Sequence, residues 1–254
     1  PNEDIGHASL WEAATGISVR SHVTPAPSVE VAVVDAIDAY VQVIRSSRAL
    51  PEYWQYHLLA LARTLRLLVA STPAEWSEIK RFASAWSASI DEKWVALRPS
   101  AIAALSNLRD AEKRVLKLIG DVPDSVNSRA TALASFLSGP AQTESRRYFV
   151  CARPEQAKAA ALAFRALGVR GMEPVHLRDL AVCSACVVAG WVGSSFARRL
   201  WAHTPREIIA LTDEHDGRRW ERAAELQRQA SGQSLLGAIG GGRTAPSSAG
   251  SFPS

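Results

Sequence analysis

The sequence is short of lysine, cysteine and long apolar runs, and each shortage excludes something. Only five of its 29 basic residues are lysine, and the other 24 are arginine. Arginine's planar fork suits phosphate and carboxylate. An Ala- and Arg-rich, Lys-poor composition is also what a GC-rich genome encodes, so a net charge of +4 is not by itself a nucleic-acid footprint. Three cysteines in 254 residues make no disulfide framework. No run approaches eighteen uninterrupted apolar residues, which excludes a membrane-spanning helix. The chain opens Pro1-Asn2-Glu3-Asp4, with no initiator methionine and no charged region ahead of an apolar one. The expectation is a cytoplasmic chain that is either a piece of a longer polypeptide or a processed one.

Glycine is missing where nucleotide chemistry needs it. No Gly-x-x-x-x-Gly-Lys-Ser/Thr occurs, and no Gly-x-Gly-x-x-Gly follows an apolar run. The turn after the first apolar run of the second half is Cys151-Ala152-Arg153-Pro154-Glu155, without the glycines of a phosphate cradle. Binding of a triphosphate in the P-loop manner is excluded. No cofactor is evident, and ATP or Mg²⁺ enters only if another region completes a site.

What is present divides into four parts. Residues 1–27 read as a connecting segment with one short strand, Ile17 to Val19. From Ser28, an N-cap, apolar residues recur at helical spacing (Val29, Val33, Ile37, Tyr40, Val41, Ile44). Pro51 opens a second helix carrying Trp54, Leu58, Leu61, Leu65, Leu68 and Val69. Thr72-Pro73-Ala74-Glu75 has the capping-box pattern and predicts a third, with Trp76, Ile79, Phe82, Ala83 and Trp86 on its apolar face. A fourth is expected from about Pro99 to Ile119 and a fifth over Ser125 to Leu137. Residues 28–140 thus read as an all-helical bundle, Gly139 to Arg146 as a polar link, and 231–254, rich in Gly, Ser and Pro, as a disordered tail.

Between them, residues 147–230 alternate short apolar runs with helical segments. The runs are Tyr148 to Ala152, Ala185 to Ala189, and Glu207 to Leu211; the helices are Glu155 to Leu167, Ser194 to Ala202, and Arg218 to Gln229. That alternation is the signature of βαβ units on a parallel sheet. The fold class is therefore α/β: an N-terminal helical bundle, then a small Rossmann-like or RecA-like three-layer unit. Ligands in such folds meet the carboxyl ends of the strands, where Arg153, Trp191 and the Asp213–Asp216 cluster project.

Four constellations carry possible chemistry, each beside a plainer explanation. Ile208 to Leu211 running into Thr212-Asp213-Glu214 has the Walker-B shape, so Asp213, Glu214 and Asp216 are candidate metal ligands; the plainer role is to cap the following helix at its positive end. Cys183-Ser184-Ala185-Cys186 is a Cys-x-x-Cys that Cys151 and His176 would join only if the fold gathers them; buried small hydrophobes are the alternative. Gly190-Trp191-Val192-Gly193 precedes Ser194 and Ser195 at a helix start, a place for an anion or simply a capped turn. Arg153, Arg198, Arg199, Arg218 and Arg219 are candidate phosphate contacts, although interleaved Glu207, Glu214, Glu221 and Glu225 suit solvated ion pairs.

The stretch Tyr148 to Val169, "YFVCARPEQAKAAALAFRALGV", resembles the opening of the second RecA-like lobe of superfamily helicases. The stretch "ACVVAGWVGSSFARRLWAHTPREIIALTDEHDGRRWERA" is similar to the ending of helicase-like bacterial anti-phage proteins, in particular the DrmE component of DISARM systems. The resemblance covers about a third of the chain and lies mostly in hydrophobic pattern; the helicase motif Gln-x-x-Gly-Arg-x-x-Arg is absent. It implies a carboxyl-terminal, lobe-two-like region, at most half of an NTPase. The partners it implies are DNA and other protein subunits of a defence complex, with no membrane. A non-enzymatic protein-interaction subunit is the alternative.

Overall fold

Amphipathic helices come first because the first half repeats its apolar residues every three to four positions. A computed structural model describes residues 18–95, 105–138, 147–181, 185–203 and 207–240, without the side chains of 92–95 and 231–240. Helices α1 (Ser28–Ser46), α2 (Glu52–Ala70), α3 (Trp76–Val95) and α4 (Ser106–Asp121) bury one continuous core. Ile37 and Ile44 of α1, Leu58 and Leu65 of α2, Ile79 and Trp86 of α3, and Leu108 and Val115 of α4 all lie within it. Each such side chain contributes about 1.5–3 kcal/mol by leaving water. Tyr40 and Trp86 meet edge to face, 5.4 Å between centroids.

Two expected caps are not used as caps. Pro27 occupies the N-cap of α1 and no side chain caps that helix; Glu30 of its first turn is buried and accepts the Ser128 backbone N–H at 2.7 Å and the Ser128 hydroxyl. The Thr72 hydroxyl turns back to the Leu67 carbonyl at 2.8 Å, while Glu75 forms an isolated antiparallel bridge with Val126. At Thr72 these other partners replace the local cap, with Gln156 also donating to its hydroxyl; at α1 the helix already includes Ser28, one residue past the Pro27 N-cap. Helix α5 (Ser128–Leu137) starts three residues later than expected because Asn127 caps it, accepting the Ala130 N–H at 3.0 Å. The expected start of the fourth helix at Pro99 lies outside the described residues.

The five strands are β1 (Ser18–Val23), β2 (Arg147–Cys151), β3 (Met172–His176), β4 (Ala185–Ala189) and β5 (Glu207–Thr212). They pair wholly in parallel in the order β1-β5-β4-β2-β3, as the alternating pattern predicted. Counted from β2, this is the flavodoxin-like order with β1 supplying the last strand. From β2 onward the strands are connected by α6 (Pro154–Ala166), a 3₁₀ turn, Leu177–Asp179, and α7 (Ser194–Trp201), and α8 (Glu214–Gly240) follows the last strand.

The structure departs from the sequence pattern at four places. Ser18–Val23, where a short strand over Ile17 to Val19 was expected inside a connecting segment, is longer, pairs residue by residue with Glu207–Thr212 and belongs to the sheet. Met172–His176 is a strand that no apolar run announced; Pro174 and Glu173 are tolerated because β3 is an edge. Helix α5, expected in the bundle, packs Ala132 and Leu133 against Phe149, Cys151, Ile209 and Leu211 on one sheet face, beside α6. Helix α8 continues through Gly240, where a disordered tail was expected from 231, because Leu235, Leu236 and Ile239 keep helical spacing. Residues 139–146 and 241–254 lie outside the described residues.

The opposite sheet face, Val150, Cys186, Val188, Ile208 and Ala210, is covered by α7 and α8 through Phe196, Leu200, Trp201 and Trp220. The bundle meets this sandwich at the C-terminal end of α2. Gln156 donates to Thr72 Oγ1 at 2.7 Å, Asn127 to the Thr72 carbonyl at 2.7 Å, and Arg129 to the Ala70 carbonyl at 2.8 Å. No helix among the described residues is long and apolar enough to cross a membrane.

Candidate anion-binding crevice

Strand order reverses between β2 and β4, so α6 leaves toward one face and α7 toward the other, and a crevice opens at their carboxyl ends. Here it is a hollow of about 620 Å³, closed on its third side by α2. Its charged side chains are Arg63 and Arg66 from α2, Arg153 from the β2–α6 turn, Arg178 after β3 and Arg199 from α7. His176 adds an imidazole, and Gly193 and Ser195 bring the first turn of α7 to the rim. Among the described residues, no carboxylate lines it. Arg66 is held by Asp38 at 2.8 Å, whereas Arg63, Arg153 and Arg178 have no ion-pair partner among the described residues.

Two helix starts face this hollow, and they differ in what remains free. At α6, where a phosphate cradle would sit, Gln156 Oε1 already accepts the N–H groups of Ala152 and Arg153, both at 3.1 Å. That glutamine is buried and its amide nitrogen is committed to Thr72 and Ser71. The cradle is thus filled from within, which gives the missing glycines a structural counterpart. At α7 the N-cap is Gly193, with φ of 128°, and no side chain caps the turn. Ser194 and Ser195 are exposed there, so the positive end of α7 remains available to an anion.

The acidic cluster has a different job. Asp213 Oδ1 accepts the Asp216 N–H at 2.8 Å, capping α8, and its Oδ2 takes Arg129 Nη2 at 3.2 Å. Burial pushes the Asp213 carboxyl up, but the Asp216 N–H and the Arg129 guanidinium outweigh it and hold it below the ordinary carboxylate value. Asp216 Oδ2 accepts the Trp191 N–H at 2.9 Å, and its Oδ1 faces Arg219 at 3.4 Å. Asp213, His215 and Asp216 do bring ligand-type atoms within 4.8 Å, yet every carboxylate oxygen of the two aspartates is engaged by a donor. Glu214 stands apart, exposed, and pairs with Arg218 at 3.5 Å. The geometry is that of a capped helix pinned to the Gly190–Trp191 loop.

Of the arginines and serines named from sequence, Arg153, Ser195 and Arg199 meet in the crevice. Ser194 lies at the α7 start beside it, and Arg198 is exposed outside the lining. Arg218 and Arg219 are tied to acids on α8. The residues missed are Arg63, Arg66 and Arg178; His176 was named only as a companion of the cysteines, not as a crevice residue. The two α2 arginines sit on the polar face of a helix read only for its apolar stripe, while His176 ends the unannounced strand β3 and Arg178 follows it. Cys151 and Cys186 lie on opposite sheet faces, both buried, and burial pushes the Cys151 thiol far above its usual range. His176 is the register neighbour of Cys151, but no ligand cluster forms with Cys186; Cys183 lies outside the described residues.

Comparison of the sequence with protein-family models and with curated proteins returns no match.

Proposed function

We propose that this chain is a lobe-two-like region of a helicase-like bacterial anti-phage protein that grips nucleic-acid phosphates with side chains, without a P-loop of its own. The observation that carries the phosphate contact is the crevice: five arginines and no carboxylate at the switch point of a parallel sheet. The placement among defence proteins is supported by the sequence resemblance of the segments around β2 and from β4 to α8. Guanidinium forks bind phosphate oxygens in pairs, strongly and with defined orientation. Backbone contacts of this kind set affinity and position but read no sequence, so the expected ligand is DNA of any sequence. The buried Cys151 thiol suits a reducing cytoplasm. The role assigned is binding rather than turnover, because the strand-end acids are spent on capping and pinning α8.

Fluorescence anisotropy with labelled DNA tests this directly. Arg63→Ala with Arg153→Ala is expected to weaken binding at least tenfold, at about 1.5–3 kcal/mol for each charged hydrogen bond lost. Arg218→Ala with Arg219→Ala, which removes the same charge from α8, is expected to leave affinity nearly unchanged. Equal losses from the two pairs would mean that net charge, not the crevice, holds the DNA.

A further inference from the structure

Helix α2 carries two of the crevice arginines and, nearer its N-terminus, Tyr53 and Tyr56. These are 73% and 67% exposed, more than any other large apolar or aromatic side chain described. Tyrosine ordinarily buries its ring and leaves only the hydroxyl wet, so two bare rings one turn apart need a reason. Their neighbours Trp54 and Leu58 turn into the bundle, leaving the tyrosines on the outer face. Residues seven apart in an α-helix complete nearly two turns and share a face, so Tyr56 stands in line with Arg63, about 10 Å back along the axis. Tyr53 is one turn further, and Leu67, one turn beyond Arg63, lines the crevice. One face of α2 therefore runs from two open aromatic rings to the arginines. Its sole acidic residue is Glu52, in the first turn at the far end.

Resting on the crevice as a phosphate site, we propose that this face is a stacking platform for single-stranded nucleic acid. Bases lie on Tyr53 and Tyr56 while the backbone continues into Arg63, Arg153, Arg178 and Arg199. A positively charged groove joined to aromatic rings is how single strands are held without sequence preference, each ring accepting the π-face of any base. A duplex keeps those faces stacked inside and offers only phosphates. The α2 face thus selects single strands, where the crevice alone would take either form.

The test uses the full chain and three probes: a labelled oligothymidylate of about 12 nucleotides, a duplex of the same length, and inorganic polyphosphate as competitor. The wild type is expected to prefer the single strand. Tyr53→Ala with Tyr56→Ala is expected to weaken that complex by about tenfold or more, leaving duplex binding and polyphosphate competition unchanged. Tyr→Phe at both positions keeps the ring and is expected to keep the affinity. Both side chains are exposed, so melting should not move; if the pair lowers it, each single variant is read alone. Wild-type affinity of the double alanine variant for the single strand, or equal binding of both DNA forms, would overturn the platform. If Arg63→Ala still weakens binding in that case, the crevice stands without it; if neither set matters, both fall. Binding of polyphosphate but of neither DNA form would also overturn the platform.

Discussion

Replacing Gly190 by alanine should loosen the joint between the helical bundle and the sheet. Gly190 has φ of +55°, donates to the Leu211 carbonyl at 2.9 Å and accepts Trp220 Nε1 at 2.8 Å, so it is fixed on both sides. A Cβ there would stand 2.5 Å from the Ala70 carbonyl oxygen and 2.6 Å from Ser71 Oγ. The serine hydroxyl can rotate away, but the carbonyl is backbone and is itself held by Arg129 Nε at 2.8 Å. Left-handed strain costs about 1–2 kcal/mol for a residue with a Cβ, and forcing an added methyl into a closed contact about 1–3 kcal/mol. The expected loss is therefore about 2–5 kcal/mol, read as a lower urea midpoint at unchanged slope. Gly168→Ala and Gly171→Ala supply the comparison: both have positive φ, 65° and 75°, and neither Cβ would meet an atom within 4 Å. They should show the strain alone. If Gly190→Ala costs no more than these two, the end of α2 is not seated on the β4–α7 loop. Since α2 also carries Arg63 and Arg66, that seating holds one wall of the crevice, and Gly190→Ala should weaken DNA binding as well.

Asn127→Ala should cost about 3–5 kcal/mol in a urea titration, because it removes the α5 cap and strands the buried Ala74 N–H and Thr72 carbonyl. Asp213→Asn should destabilise near neutral pH. The folded-state carboxyl lies below its ordinary value, so its contribution is full above the unfolded value and fades as pH falls through the lowered one; melting temperatures of wild type and variant should converge in acid, and a constant gap would refute the Arg129 and capping roles. Millimolar Mg²⁺ or Mn²⁺ should leave the melting temperature unchanged; a rise that vanishes in Asp216→Asn would restore the metal reading of the α8 start.

The sequence made the sheet legible where strands are buried on both faces. Val150, Val187, Val188, Ile208 and Ile209 sit in runs whose only solution is a covered parallel sheet. The edges were less legible: a short strand was expected at β1 but not its place in the sheet, because its partner β5 lies at the other end of the chain, and β3 carries Glu173 and Pro174. Local caps were legible only where nothing competed: Asp213 caps α8, while Thr72 is taken by Leu67 and Gln156. The crevice was half legible. Arg153 and Arg199 follow strand ends, which the alternation locates. Arg63 and Arg66 reach it only because α2 docks against the sandwich, a tertiary event that helical spacing does not encode.

The salt dependence of DNA binding tests the crevice most directly. Each phosphate contact at a single strand contributes about −0.7 to the slope of log affinity against log salt concentration. Wild type should show a slope of several times that value, and Arg63→Ala, Arg153→Ala and Arg178→Ala should each remove about one contact's share. A slope that stays the same through all three substitutions would contradict the account, because the arginines at the switch point would then touch no phosphate.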